Sequence, residues 1–361
     1  MTRVVMIGAS GHVGTYLVPR LVEAGHDVVA ISRGQRQPYQ PHGAWRKVKQ
    51  AVIDRSAAEQ AGSFGDQILA LQPDVVIDMI CFNLESARHL VQALRGQVQH
   101  FLHCGTVWVH GPSVEVPTTE AQPRTPFGEY GIQKAAIEAF LLDEARRGNF
   151  PATCLHPGHI VGPGWPPLNP AGNFNPRVFG QLARGEEVAL PHFGLETVHH
   201  VHADDVAQIF FKTMQNWSSA VGESFHAVSP AAVTLRGYAE SVAGWFGRDA
   251  NLRFLPWADW EALQEKEDAV KTWEHIAHSP NCSIEKGRRL LGYEPRYHSF
   301  EAIYESVEWM VEQGIVKVDT SAGTREEKLN FVNSYSFALA QTVGRTTSDR
   351  QTPATACDDQ G

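Results

Sequence analysis

The chain has 361 residues, 43% hydrophobic and 20% charged, with a formal net charge of −9 at pH 7. That is enough apolar length for a sizeable core, and the acidic balance argues against general affinity for nucleic acid or anionic membranes, which require a basic face. No apolar run approaches the roughly 18 residues of a membrane span. The N-terminus has no signal-peptide architecture, and the five cysteines are scattered without CxxC pairing, so a cytoplasmic enzyme in a reducing compartment is expected.

An apolar run over residues 4–7 leads into Gly8-Ala9-Ser10-Gly11-His12-Val13-Gly14, and a helical apolar pattern follows at Val13, Leu17, Val18, Leu21 and Val22. Strand, glycine turn and helix in that order predict a cradle for a dinucleotide pyrophosphate. Gly8 supplies a turn closed to side chains, Gly11 lets the main chain approach phosphate, and Gly14 allows close helix packing. The helix N-terminus faces the anion. The expected cofactor contacts here are Gly8, Ser10, Gly11, His12, Val13 and Gly14.

Further parallel strands are expected over 26–31, 48–53, 74–80, 100–104 and 152–155, with a surface loop at 35–47. Helices are expected over 56–71, 84–95 and 128–147, the last with Ile132, Ala136, Ile137, Phe140 and Leu141 on one side. This rhythm predicts an α/β fold: a doubly wound parallel sheet of the Rossmann type over 1–158. The segment 158–176 carries five prolines, four glycines and three asparagines and reads as an ordered loop bordering a site. Beyond it come helices over 176–185, 204–216 and 234–247 and strands over 187–190 and 225–228. Residues 159–320 form a smaller C-terminal substrate lobe, parts of 203–228 complete the main sheet, and 321–361 read as a disordered tail.

Tyr130 and Lys134 lie four apart at the start of the expected helix 128–147, hence on one face. A nearby ammonium lowers a phenol's pKa and makes it a usable acid/base for carbonyl–alcohol interconversion. At the end of the fifth strand, Thr106 offers a hydroxyl to a substrate oxygen. The second strand ends in Ser32-Arg33, with Arg36 close behind and no acid to take ribose hydroxyls. A guanidinium suits a 2′-phosphate, so NADP(H) is favoured, with NAD(H) the alternative.

Together the glycine stretch, Thr106 with Val109-His110-Gly111, and the Tyr130/Lys134 pair resemble the extended short-chain dehydrogenase/reductases, in particular the NAD(P)-dependent epimerase/dehydratase group. Three later stretches match that group as well: residues 156–164 (HPGHIVGPG), 201–207 (VHADDVA) and 287–295 (GRRLLGYEP). The resemblance spans roughly residues 3–315 and implies Tyr130 as acid/base, Lys134 as its partner and ribose contact, and Thr106 in place of the usual serine. It implies adenine contacts at Asp54 and Arg55 and further cofactor contacts at Ser32, Arg33, Cys81, Lys134 and Pro157. Thr106, Trp108, His159, Asn173, Arg177 and His202 are the expected substrate contacts.

The implied activity is that of an oxidoreductase or epimerase, with hydride transfer at a hydroxyl or ketone carbon of a sugar or sugar nucleotide. Reduction of a smaller carbonyl compound is the alternative. A catalytically silent, RNA-associated branch of the fold is a third reading, opposed by the retained Tyr130 and Lys134. Val107-Trp108 stand where a dehydratase has Asp-Glu, which disfavours dehydration. Val198 stands where sugar-nucleotide enzymes of the group place a diphosphate-clamping arginine, leaving Arg177 or Lys271 to supply charge. The run His192, His199, His200 and His202 is read as a strand with outward-facing histidines, with no metal site. By analogy with relatives, helices 84–95 and 128–147 would form a homodimer interface.

Overall fold

Strand and helix alternate from the first residues of the chain. They run β1 (Arg3–Ile7), α1 (His12–Glu23), β2 (Asp27–Ser32), β3 (Lys49–Val52), α2 (Arg55–Gln60), α3 (Phe64–Leu69), β4 (Val75–Asp78) and α4 (Leu84–Leu94). Then come β5 (His100–Cys104), α5 (Gly128–Arg147), β6 (Ala152–Pro157) and β7 (His159–Val161). The computed structural model describes residues 1–317, and the tail expected over 321–361 lies outside them. The second half holds α6 (Arg177–Arg184), β8 (Val188–Pro191), β9 (Thr197–Val198), β10 (His200–His202), α7 (Ala203–Gln215), α8 (Trp217–Ala220) and β11 (Ser224–Ala227). It continues through β12 (Val233–Thr234), α9 (Leu235–Trp245), β13 (Leu252–Leu255), α10 (Trp257–Glu261), α11 (Lys266–Ile276), α12 (Glu285–Leu291) and α13 (Ser299–Glu312).

Seven strands form one sheet in the order β11-β6-β5-β4-β1-β2-β3, every neighbouring pair parallel. Alternation along each strand sends Val4, Met6, Leu102 and Leu155 to one face under α1 and α7. Val5, Ile7, Phe101 and Cys154 go to the other, against α3, α4 and α5. The order reverses between β1 and β4, so a crevice opens there at the carboxyl ends of the strands, where ligands bind in such sheets. A further core gathers Phe179, Leu190, Tyr238, Trp245 and Trp260 from the second half.

Three local expectations change. The helix expected over 56–71 is two short helices, because Gly62 takes φ +66° and breaks the run. The loop 35–47 ends in a 3₁₀ turn, Gly43–Lys47, capped by the His42 side chain. The apolar side expected for α5 also differs: Ile132 is 47% exposed, and the buried stripe is Gly131, Lys134, Ile137, Glu138 and Leu141. Two charged residues lie inside that stripe because α5 turns its polar working residues towards β5 and β6.

Candidate active site

The first turn after β1 has the form a pyrophosphate requires. Gly8 takes φ +85°, and a Cβ there would lie 2.9 Å from Ile80 Cγ2. A Cβ on Gly14 would fall 1.9 Å from the Ala9 carbonyl oxygen, so only glycine lets α1 approach the strand this closely. No side chain caps α1 and no acid sits in its first turn, leaving its N–H groups and positive dipole end for an anion. The residues present therefore fit a dinucleotide. His12 stacks on Trp165 with ring centroids 5.8 Å apart and tilts against Tyr39 at 5.2 Å. Burial, followed by neighbouring His202, pushes its pKa down to about 4.

Two hollows flank the cradle. A groove of about 420 Å³ on the β2 side is lined by Ser10, Ser32, Arg33, Arg36, Tyr39 and Asp54, among others. The Ser32 hydroxyl accepts from the Gly34 N–H at 3.1 Å, and Asp54 caps α2 by accepting from Ala57 at 3.0 Å. Arg55 borders this groove, but its side chain turns inward: Nη1 donates to both Asp78 oxygens at 2.8 and 3.0 Å, and Nε donates to Glu59 at 2.7 Å. Its guanidinium is thus held in a buried ion pair at the edge of the groove. Cys81 is buried, with Sγ donating to the Asn83 carbonyl. The second hollow, about 390 Å³, is walled by Gly11, His12, Met79, Cys104, His159 and Phe174 among others. Val13 lines it too, and Pro157 ends β6 beside lining residue Gly158.

Tyr130, Lys134 and Thr106 meet at the end of β5. Lys134 is buried and donates to the Cys104 carbonyl at 2.7 Å, with Nζ 5.8 Å from the Tyr130 ring centroid. Thr106 Oγ1 accepts from the Trp108 N–H at 3.3 Å, which leaves its hydroxyl hydrogen to be donated. Although Tyr130 is 42% exposed, desolvation of its phenol, then Cys104, pushes it up to about 12, while the Thr106 hydroxyl pulls it down. This is opposite to the direction expected from Lys134. Burial lowers the pKa of Lys134 itself.

Behind Thr106 stands a relay that sequence reasoning missed. His156 Nδ1 accepts from the Thr106 N–H at 3.1 Å, so Nε2 carries the proton and donates to Glu138 Oε1 at 3.0 Å. Arg124 closes the set with Nε and Nη2 on the Glu138 oxygens at 2.9 and 2.7 Å. Despite its burial, Glu138 is held well below the usual carboxylate range by His156 and Arg124. The signal available in sequence was Glu138 at four residues after Lys134, hence on the same helical face.

Three of the four histidines run inward, and His192 is exposed. His199, His200 and His202 are buried, which overturns the outward-facing strand. His199 bonds to the Ser229 carbonyl and the Cys282 N–H, and His200 to the Leu168 carbonyl. His202 is engaged by Glu305 at 3.1 Å and the Asp204 N–H at 3.0 Å, which uses both ring nitrogens. His192 pairs with Glu196. Asn173 is internal as well: its amide serves Asn169, Asn175 and Thr272 and holds the loop 158–176 together. Arg177 is exposed at the start of α6. Trp108 stands edge-on to Tyr130 at 5.8 Å and stacks on His278 at 4.2 Å. Among the described residues no group of three or more His, Cys, Asp or Glu is placed to hold a metal, and no helix is long and apolar enough to cross a membrane.

A glycine cradle at the switch point of a parallel sheet, facing a tyrosine–lysine pair, defines a dinucleotide-dependent enzyme of the extended short-chain dehydrogenase/reductase type. The chain belongs to the NAD dependent epimerase/dehydratase family, whose sequence profile matches residues 4–227. It is similar to 2'-dehydrokanamycin reductase of Streptomyces kanamyceticus, 29% identical over 288 residues, which cover 76% of each chain. It is also similar to the chloroplast stem-loop binding protein of 41 kDa b of Arabidopsis thaliana, 22% identical over 315 residues, 84% of this chain and 78% of that one. In fold it resembles the UDP-glucose 4-epimerase of Thermotoga maritima solved with UDP-glucose: TM-score 0.66, 20% identity, covering 86% of this chain and 99% of that one.

Proposed function

We propose that the protein is an NADP(H)-linked oxidoreductase that transfers hydride at a hydroxyl or ketone carbon of a sugar-like substrate, with Tyr130 as acid/base. The observation that carries this reading is the convergence of Tyr130, Lys134 and Thr106 beside the glycine-lined cleft. The cradle at Gly8, Gly11 and Gly14 holds the pyrophosphate, and Arg33 and Arg36 in the adjoining groove take the 2′-phosphate. A bound nicotinamide supplies or accepts the hydride. Tyr130 gives its proton to the substrate oxygen on reduction and takes it back on oxidation, while Thr106 donates a hydrogen bond to the same oxygen. Lys134 brings positive charge to the ribose side of the phenol. A phenol pushed up to about 12 is protonated at neutral pH, the form that carbonyl reduction needs. Similarity to 2'-dehydrokanamycin reductase supports the reductive direction. The enzyme works in the cytoplasm, as a homodimer through α4 and α5.

Nicotinamide absorbance at 340 nm tests the reading, with sugars, sugar nucleotides and small carbonyls as substrates. Turnover should fall by about two orders of magnitude or more in Tyr130→Phe with cofactor affinity unchanged. A Tyr130→Phe protein with native turnover would reject it. The likeness to a stem-loop binding protein favours an RNA-associated role as a second reading. Salt-dependent RNA binding retained in Tyr130→Phe would support that reading.

A further inference from the structure

Two loops from opposite halves of the chain meet at the start of α1. The loop 35–47 is fixed to that helix: the Tyr39 N–H donates to Thr15 Oγ1 at 3.0 Å, and Gln40 Nε2 donates to the Tyr16 hydroxyl at 3.1 Å. The loop 158–176 is fixed to the second half, where the Gly162 N–H donates to Ser306 Oγ in α13 at 2.6 Å. Between these anchors His12, Tyr39 and Trp165 pack ring against ring. Their centroids lie 5.2 Å apart for His12 and Tyr39, 5.8 Å for His12 and Trp165, and 6.2 Å for Tyr39 and Trp165. The backbone of the second loop is equally close: a Cβ on Gly164, at φ +97°, would lie 2.4 Å from Tyr39 Cδ1.

The three rings join the two hollows of the cofactor site. Tyr39 lines the groove on the β2 side, whereas His12 and Trp165 line the cleft. Gly8, Gly11 and Ile80 line both, so a dinucleotide that fills both hollows crosses between them at these residues, immediately beside His12. The Tyr39 end of the cluster thus borders the adenosine half and the Trp165 end the nicotinamide half. Only together do the rings span the crossing. Neither anchor uses an atom of these rings, and Trp165 is 40% exposed, so the rings can part while both loops stay attached.

Resting on the oxidoreductase reading above, we infer that His12, Tyr39 and Trp165 form a clasp that holds the dinucleotide at the crossing, and that parting of these rings sets how fast the cofactor leaves. A reductase or dehydrogenase exchanges its cofactor at every turnover, so opening of the clasp is a step of the cycle. The clasp is built before cofactor arrives, because its two halves are held by α1 and α13 independently of any ligand.

Displacement of bound NADPH by excess NADP⁺, followed by NADPH fluorescence in a stopped-flow instrument, tests this in native protein, Tyr39→Phe, Tyr39→Ala, Trp165→Ala and the Tyr39→Ala/Trp165→Ala double variant. Release should be about tenfold faster in Tyr39→Ala and in Trp165→Ala, the weight of one aromatic contact, and close to native in Tyr39→Phe, which keeps the ring. The double variant should release no faster than the faster single variant, because removing either ring already opens the clasp. Adenosine 2′,5′-bisphosphate, which fills only the groove, should bind native protein and Trp165→Ala equally, which separates faster release from misfolding. A native release rate in either alanine variant would overturn the inference. So would a double variant whose acceleration is the product of the two singles, since the rings would then be independent contacts. Failure of NADPH to bind the native protein would instead reject the oxidoreductase reading.

Discussion

His156 accepts the backbone N–H of Thr106 at 3.1 Å and so ties the loop after β5 to the end of β6. The tie holds only in one tautomer, and Glu138 maintains that tautomer by accepting from Nε2, with Arg124 neutralising the carboxylate. A buried carboxylate with two cationic or proton-bearing partners is costly to break from one side.

Glu138→Ala should therefore destabilise the protein by about 3–5 kcal/mol, since Arg124 and His156 lose their shared partner inside the protein. Urea denaturation checks the magnitude. Turnover should fall further than cofactor affinity, because Thr106 moves while the glycine cradle stays in place. A Glu138→Ala protein with native stability would show that the relay is slack.

Arg33 and Arg36 line the groove beside Ser32, at the end of β2, where an NAD-preferring site usually has an acid. Arg33→Ala should weaken NADPH binding about tenfold or more while leaving NADH nearly unchanged, because only the 2′-phosphate loses a partner. Fluorescence titration of both cofactors measures the ratio, and an unchanged NADPH/NADH preference would assign the phosphate elsewhere.

The buried histidines make stability depend on pH well above the carboxylate range. His100, His199, His275 and His278 are all pushed down to about 4 by burial. Their folded pKa lies below the unfolded value of about 6.5, so the unfolded chain binds more protons. Their neutral forms contribute fully above pH 6.5, and that contribution is lost as pH falls towards 4. Each adds a slope of about 1.4 kcal/mol per pH unit within that window. Thermal melts should show Tm dropping steeply between pH 6.5 and 5, and a flat Tm across this interval would contradict the burial of these rings.

The glycine cradle and the Tyr130/Lys134 pair were legible because each is a local device. Gly8 answers to its own positive φ and Gly14 to a contact with Ala9, and a residue and its i+4 neighbour share a helical face whatever the rest of the chain does. Apolar β-branched runs likewise marked β1, β2 and β4, because parallel strands covered on both faces leave little freedom of composition.

The histidines and the charged residues of α5 were not legible in that way. Glu138 carries the same charge on an exposed turn or against His156, and His200 reads the same facing solvent or Leu168. Their environment comes from residues far away in the chain, such as Arg124 and Ser229, which only the folded sheet brings near. Arg55 illustrates the difference: adjacent to Asp54, it seemed open to a cofactor, yet Asp78, 23 residues on, takes its guanidinium. By itself, then, the sequence determined the sheet, the cradle and the Tyr130–Lys134 pairing on one helical face, which depend on short-range geometry. Tertiary structure alone decided which polar groups are buried, what holds them, and therefore their charge, because desolvation and pairing are set by neighbours distant in sequence.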